Sequence, residues 1–141
     1  MRRALISIAL LTATACGGSD DHPHYAVAPK PPNDALIVGT YERRPPAGTT
    51  AVQFLRDGSV KLAKDKSKLG GAEVLATGTW TLDKDQLTIL YTEGECAQDG
   101  PGTYKIVLSK LGVHFQKVDD ACETRAHIDG EVWRRVAGDG Q

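Results

Sequence analysis

Gly78-Thr79-Trp80-Thr81-Leu82-Asp83-Lys84-Asp85-Gln86-Leu87-Thr88-Ile89-Leu90-Tyr91 is the stretch whose pattern decides the architecture. Trp80 and Leu82 alternate with Thr81 and Asp83, a polar Asp83-Lys84-Asp85 turn follows, and Leu87, Ile89 and Tyr91 then alternate with Thr88 and Leu90. Side chains on a strand change face at every residue, so a period of two predicts a hairpin of half-buried antiparallel strands. The same period extends in both directions. Val52 and Phe54, Val60 and Leu62, Tyr104, Ile106 and Leu108, and Leu111, Val113 and Phe115 each share a face. Turn residues separate the runs at Asp57-Gly58, Gly70-Gly71, Gly94, Asp99-Gly100-Pro101-Gly102 and Asp129-Gly130. No long helical pattern competes, so the domain is expected to be all-β with eight or nine strands.

A repeat narrows the topology. Gly-Thr-aromatic occurs as Gly39-Thr40-Tyr41, Gly78-Thr79-Trp80 and Gly102-Thr103-Tyr104. Gly78 to Leu87 and Gly102 to Leu111 are both nine residues, which suggests two equivalent hairpins. The glycine permits a bulge or bend at the strand start, and the aromatic then fills the inner face. Trp80 and Tyr104 should therefore face the interior with Leu82, Leu87, Ile89, Ile106, Leu111 and Val113. Successive hairpins of similar size favour an eight- to nine-stranded antiparallel up-and-down β-barrel, which removes its own edges. A two-sheet β-sandwich is the alternative.

The chain begins Met1-Arg2-Arg3, then an apolar run from Ala4 to Leu11, then Thr12-Ala13-Thr14-Ala15-Cys16. A basic start, a short apolar segment and small residues before a cut are the parts of an export signal, and the run is too short to span a bilayer. Ala13-Thr14-Ala15-Cys16 resembles the lipobox of bacterial lipoproteins, although Ala13 stands where leucine is usual. The resemblance implies a signal peptide over residues 1–15, acylation of Cys16 (palmitate or a similar chain) and a membrane anchor in the cell envelope, facing periplasm or exterior. Ala13-Thr14-Ala15 also suits ordinary secretory cleavage, the alternative, which would release a soluble protein. Three cysteines become an even pair once Cys16 carries lipid, and an exported pair, Cys96 and Cys122, is expected to form a disulfide. Neither lies in a CxxC motif, so zinc-ribbon and thioredoxin-type readings have no support.

Removal of the signal leaves 126 residues with 15 basic and 18 acidic side chains, room for one domain and no basic field for nucleic acid. Residues 16–34 read as a lipidated cysteine and flexible tether, with four prolines (Pro23, Pro29, Pro31 and Pro32) and few groups to bury. Its Asp20-Asp21-His22-Pro23-His24 has transition-metal ligand types but no fixed geometry, so a solvated spacer is the simpler reading. Residues 35–137 are expected to form the barrel domain and residues 138–141 a disordered tail.

The barrel segment resembles the lipocalin-like, or calycin-type, small barrel lipoproteins of bacteria. The resemblance rests on Gly39-Thr40-Tyr41, Phe54-Leu55-Arg56-Asp57-Gly58-Ser59, Gly78-Thr79-Trp80, and Asp119-Asp120-Ala121-Cys122-Glu123-Thr124-Arg125 followed by Trp133-Arg134. It implies that Tyr41 stands where lipocalins place the tryptophan of G-x-W, packed under an arginine of the last strand, here Arg134 or Arg135. Lipocalin barrels hold small apolar ligands, so Tyr41, Trp80, Tyr104, Trp133 and Arg125 are the candidate pocket lining.

Catalytic signatures are missing: the chain has no G-x-S-x-G, H-E-x-x-H, P-loop or G-x-G-x-x-G motif. His114 and His127 fall on expected strands as structural or surface residues. Asp119, Asp120 and Glu123 surround Cys122 and suggest a solvated loop whose Arg125 pairs with a neighbouring carboxylate. Lys61, Lys64, Lys66 and Lys68 suggest either a solvated surface or contact with an anionic lipid or polymer. The expectation is a non-catalytic envelope lipoprotein without cofactor or metal. Its partners would be the membrane, through the N-terminal lipid, and a small apolar ligand or an envelope protein. A structural protein with a filled barrel is the second reading, and an envelope enzyme the third.

Overall fold

The computed structural model describes residues 30, 32–43 and 49–138. The expected signal peptide, Cys16 and almost all of the tether lie outside the described residues, as does most of the C-terminal tail. Eight antiparallel strands run in sequence order and close into one barrel: β1 (Gly39–Arg43), β2 (Thr50–Phe54), β3 (Ser59–Ala63), β4 (Val74–Asp83), β5 (Gln86–Gly94), β6 (Gly102–Leu108), β7 (Gly112–Asp119) and β8 (Val132–Arg135). The up-and-down barrel is thus the architecture, and the sandwich is not. Two short helices, α1 (Asn33–Ile37) and α2 (Glu123–Ala126), and a 3-10 turn at Lys66–Lys68 complete the described elements.

The alternation does what a period of two requires. Trp80, Leu87, Ile89, Tyr91, Tyr104, Ile106, Val113 and Phe115 are buried, whereas Thr79 and Thr81 are exposed and Leu82 is half-buried against the core. The interior is filled by rings in edge-on or tilted contact. Tyr41 meets Phe54 at a centroid distance of 6.1 Å, Phe54 meets Trp80 at 5.8 Å and Phe115 at 6.5 Å, and Phe115 meets Tyr104 at 6.2 Å and Trp133 at 6.0 Å. Edge-to-face geometry sets the positive ring edge against a negative face and adds to the gain from burial. The Trp80 indole N–H still finds a partner, donating to the Leu55 carbonyl at 3.0 Å.

Two expectations need correction. Leu111 does not join the interior; it is 83% exposed. In the first hairpin Asp83 pairs with Gln86, leaving Lys84-Asp85 at the tip. In the second, Leu108 pairs with Val113 and the Ser109 amide donates to the Gly112 carbonyl at 2.9 Å, which leaves Lys110-Leu111 at the tip. Counted from its glycine, the second hairpin runs two residues further before it turns, so Val113, not Leu111, is the equivalent of Leu87. Equal spacing from the glycine was a coincidence of loop position. His127 is likewise not on a strand: it follows α2 and is exposed, while His114 does lie on β7.

The repeated glycines have a structural cause. The pairing of β4 with β5 shifts between Thr77 and Gly78, and that of β6 with β7 between Thr103 and Tyr104. A Cβ on Gly78 would overlap the backbone of Leu90 and Tyr91, so the bulge tolerates no side chain there. Gly78 lies inside β4 rather than at its start, because the strand already begins at Val74.

Outside the barrel, the Lys66–Lys68 turn packs on β1 and β2, and Ala51, Ala63 and Leu69 form a second small buried cluster. Among the described residues, no helix is long and apolar enough to cross a membrane. The hairpin register gives a direct test. Leu87→Ala should cost about 2–5 kcal/mol in denaturant unfolding, whereas Leu111→Ala should stay within about 0.5 kcal/mol of the parent. Equal costs would mean that the nine-residue spacing, not the later turn, sets the phase.

Candidate functional site

At one end of the barrel the chain clamps itself shut. Tyr41 on β1 and Arg135 on β8 are paired across the closing seam, so their side chains share the inner face. The Arg135 guanidinium lies over the Tyr41 ring, 4.8 Å from its centroid, and one of its nitrogens donates to the Tyr41 hydroxyl at 2.6 Å. The hydroxyl in turn donates to the Ile37 carbonyl at 2.9 Å. Arg135 also donates to the carbonyls of Leu36 and, at 2.8 Å, Val38, which are the last turn and the exit of α1. Burial pushes the Tyr41 phenol up to about 12 against the pull of Arg135, so it remains a neutral donor. Of the two arginines expected to cover Tyr41, it is therefore Arg135; Arg134 points to solvent.

At the opposite end lies a buried ionic corner. Arg125 is 1% exposed, and the Asp120 side chain is likewise withdrawn from water. Arg125 Nε and Nη2 donate to the two Asp120 oxygens at 2.7 and 2.8 Å, a bidentate fork, and Nη2 also donates to the Gly100 carbonyl at 2.8 Å. The Tyr104 hydroxyl donates to Asp120 Oδ2 and the Cys122 amide to Oδ1 at 2.9 Å. The guanidinium stands 5.6 Å over the Tyr91 ring. Cys96 and Cys122 are joined in a disulfide with Cα atoms 5.7 Å apart, and Cys122 Sγ accepts from the Arg125 amide at the start of α2. Gly102 is required here, because a Cβ would overlap the Asp120 carboxylate. The carboxylate partner of Arg125 is thus Asp120, but the corner is buried rather than the solvated loop expected.

Chemically the corner is a lock. Burial alone would raise the Asp120 pKa, but the bonds from Arg125, Tyr104 and Cys122 outweigh it and hold the carboxyl below its ordinary value. Its four bonds occupy both oxygens, leaving none aimed at a substrate. Burial and the Asp120 charge push the Tyr104 phenol far up, so it too stays protonated. Ligand atoms of Cys96, Asp99 and Cys122 lie within 4.8 Å of one another, yet the two sulfurs are spent on each other. Asp119, Glu123 and His127 are exposed and do not converge on this corner.

The five residues expected to line a pocket, Tyr41, Trp80, Tyr104, Trp133 and Arg125, are all interior. They pack on one another or on the ionic corner, and none of them lines either of two clefts on the described surface. The larger cleft, about 830 Å³, runs along the outer side of the β1–β8 seam between Glu42, Arg43, Lys66, Glu131, Val132 and Arg134. A smaller one, about 420 Å³, lies beside Lys61, Leu69 and Gly94. The lysine run is accordingly divided: Lys66 borders the large cleft, Lys61 the small one, and Lys68 pairs with Glu73. No sequence signal marked the seam cleft, since its walls come from three distant segments. Comparison with family models, with curated proteins and with solved structures finds no match to this chain.

The corner predicts a pH effect. A carboxyl held below its unfolded value, near 4, stabilises the fold fully above about pH 4 and loses that contribution as pH falls through the lowered value. Asp120→Asn should cost about 3–5 kcal/mol at neutral pH, because it leaves Arg125 buried without its counter-charge. It should also flatten the acid limb of the stability curve. A loss under about 1 kcal/mol with an unchanged acid limb would show that the pair is solvated in solution. Cys96→Ala, which opens the 26-residue separation, should cost about 3.5 kcal/mol on the loop-entropy account, read as a fall of several degrees in Tm.

Proposed function

We propose that this chain is an exported lipoprotein, anchored to a bacterial membrane through Cys16, whose lipocalin-like barrel is a filled, non-catalytic scaffold that presents its outer surface to an envelope partner or small ligand. The observation that carries the reading is the run of rings from Tyr41 through Phe54 and Phe115 to Tyr104 and Trp133, which occupies the space where an open lipocalin barrel would hold its ligand. Eight strands enclose an interior that side chains can fill, so a ring-packed core and a large internal site compete for one volume. The lipocalin kinship is supported by the Tyr41–Arg135 clamp, which reproduces an aromatic on the first strand beneath an arginine of the last. Export is supported by the N-terminal pattern and by the disulfide, a bond that persists in oxidising compartments. The non-catalytic reading is supported by Asp120, whose oxygens are committed to structural bonds.

Two measurements test this. The native protein should partition with membranes and carry an acyl mass at Cys16, and Cys16→Ala should abolish both. A wild-type protein recovered soluble and unacylated would establish ordinary secretion. For the filled interior, Trp80→Ala should cost about 3–5 kcal/mol. Trp80 emission should also be unmoved by an apolar dye such as 1-aminoanthracene; saturable quenching with a small Trp80→Ala cost would restore the ligand-cavity reading.

A further inference from the structure

The seam cleft has a physical origin and a charge. β8 is four residues long and pairs with β1 only at Tyr41↔Arg135 and Glu42↔Arg134, whereas β1 and β2 pair over five positions. The short last strand leaves a notch along the closure, walled on one side by the Lys66–Lys68 turn packed on β1 and on the other by residues 131–137. Among the described residues, Arg43, Lys66, Arg134 and Arg135 come into this notch against Glu42 and Glu131, a surplus of two positive charges among them in a protein that is slightly acidic overall.

The cations differ in how far they are already committed. Arg135 is held by the α1 carbonyls and Tyr41. Arg43 donates through Nη1 to the His127 carbonyl at 2.8 Å and lies 5.6 Å over the Trp133 ring, but its Nε is buried with no partner among the described residues. Lys66 and Arg134 have no side-chain hydrogen bond or ion pair among the described residues. Arg43 Nε is closed to solvent, so what Arg43 offers the cleft is its charge, whereas the exposed Lys66 and Arg134 offer both charge and donors beside the carboxylates of Glu42 and Glu131. Val132, 63% exposed, and Val136 and Ala137 add an apolar side to the same cleft. Planar guanidinium forks suit oxyanions with two or three acceptor oxygens.

We propose that the β1–β8 seam cleft binds a phosphomonoester carried on a partly apolar molecule, with Lys66 and Arg134 on the phosphate, Arg43 adding its charge from behind them, and Val132 and Val136 against the apolar part. A phosphate dianion matches the surplus of two charges. The chemistry is shared by soluble phosphate esters and by the headgroup of a phosphomonoester lipid. This inference deepens the surface-presentation reading and rests on it.

The test uses the acylated full-length protein in nanodiscs of neutral phosphatidylcholine, titrated calorimetrically with phenyl phosphate. One-to-one binding is expected, weakened by added salt and about tenfold or more by Arg134→Gln or Lys66→Gln, since charge-assisted bonds are the strong ones. Both substituted side chains are exposed, and thermal melting should confirm an unchanged fold. Lys105→Gln, a cation on β6 that pairs with Asp85 at 3.5 Å, should bind like the parent. Discs containing phosphatidic acid should suppress phenyl phosphate binding if the natural source is a lipid headgroup; undiminished binding in those discs supports a soluble ester. Absence of binding overturns the cleft proposal and leaves the filled, surface-presenting barrel standing. Binding that ignores both substitutions but quenches Trp80 would place the ligand inside the barrel and overturn both.

Discussion

Closure of the barrel is the constraint on which the other features depend. Eight strands laid down in chain order leave two edges, β1 and β8, and an open sheet of this length would expose unpaired amides along both. Backbone pairing at the seam is thin, so the side chains take a large share of the joining. Arg135 holds the β1 aromatic and two α1 carbonyls at once, and the Val136 amide donates to the Thr40 carbonyl at 2.9 Å. The clamp therefore fixes the last strand, the first strand and the plug over that end with one guanidinium. The edge-on ring cluster then fills the volume that closure creates.

The two ends of the barrel are secured by different chemistry. At the α1 end a cation lies on an aromatic and donates to neutral carbonyls. At the α2 end an ion pair is withdrawn from water, its carboxylate surrounded by donors, beside a covalent bond. A buried pair contributes most when its hydrogen bonds are satisfied; Asp120 is fully bonded by Tyr104, Cys122 and Arg125, whereas Arg125 Nη1 is buried with no partner among the described residues. Tyr104 links this corner to the ring cluster through Phe115, so the polar lock and the apolar core share a side chain. The seam, the irregular feature of the barrel, lies between these two secured ends and faces outward.

Much of this was legible in the residues. Alternation around Trp80 and Tyr104 set the correct face for both, because strand phase is local. Parity picked out Cys96 and Cys122. The carboxylates around Cys122 announced a partner for Arg125, though not that the pair would be buried, since burial depends on Tyr91, Gly100 and Tyr104 arriving from other strands. Leu111 was misplaced for an instructive reason. The distance from a repeated glycine does not fix the phase of the returning strand unless the loop falls at the same point, and here it falls two residues later. The helix at Asn33–Ile37 was not legible either: five residues are too few to show a helical period, and it is held by Arg135 and by the Asn33 side chain donating to the Lys84 carbonyl at 2.8 Å.

The sequence by itself determined the all-β class, the inward set of most strands and most of the turn positions. Each follows from interactions among near neighbours: alternation, and residue types that permit a turn. Only the tertiary structure decided which arginine covers Tyr41, that the interior is filled by rings, that Arg125 and Asp120 leave water together, and that a charged cleft opens beside β8. These depend on the stagger of strands far apart in the chain and on the length of the last one. Both quantities acquire meaning only when the first strand and the last are brought side by side.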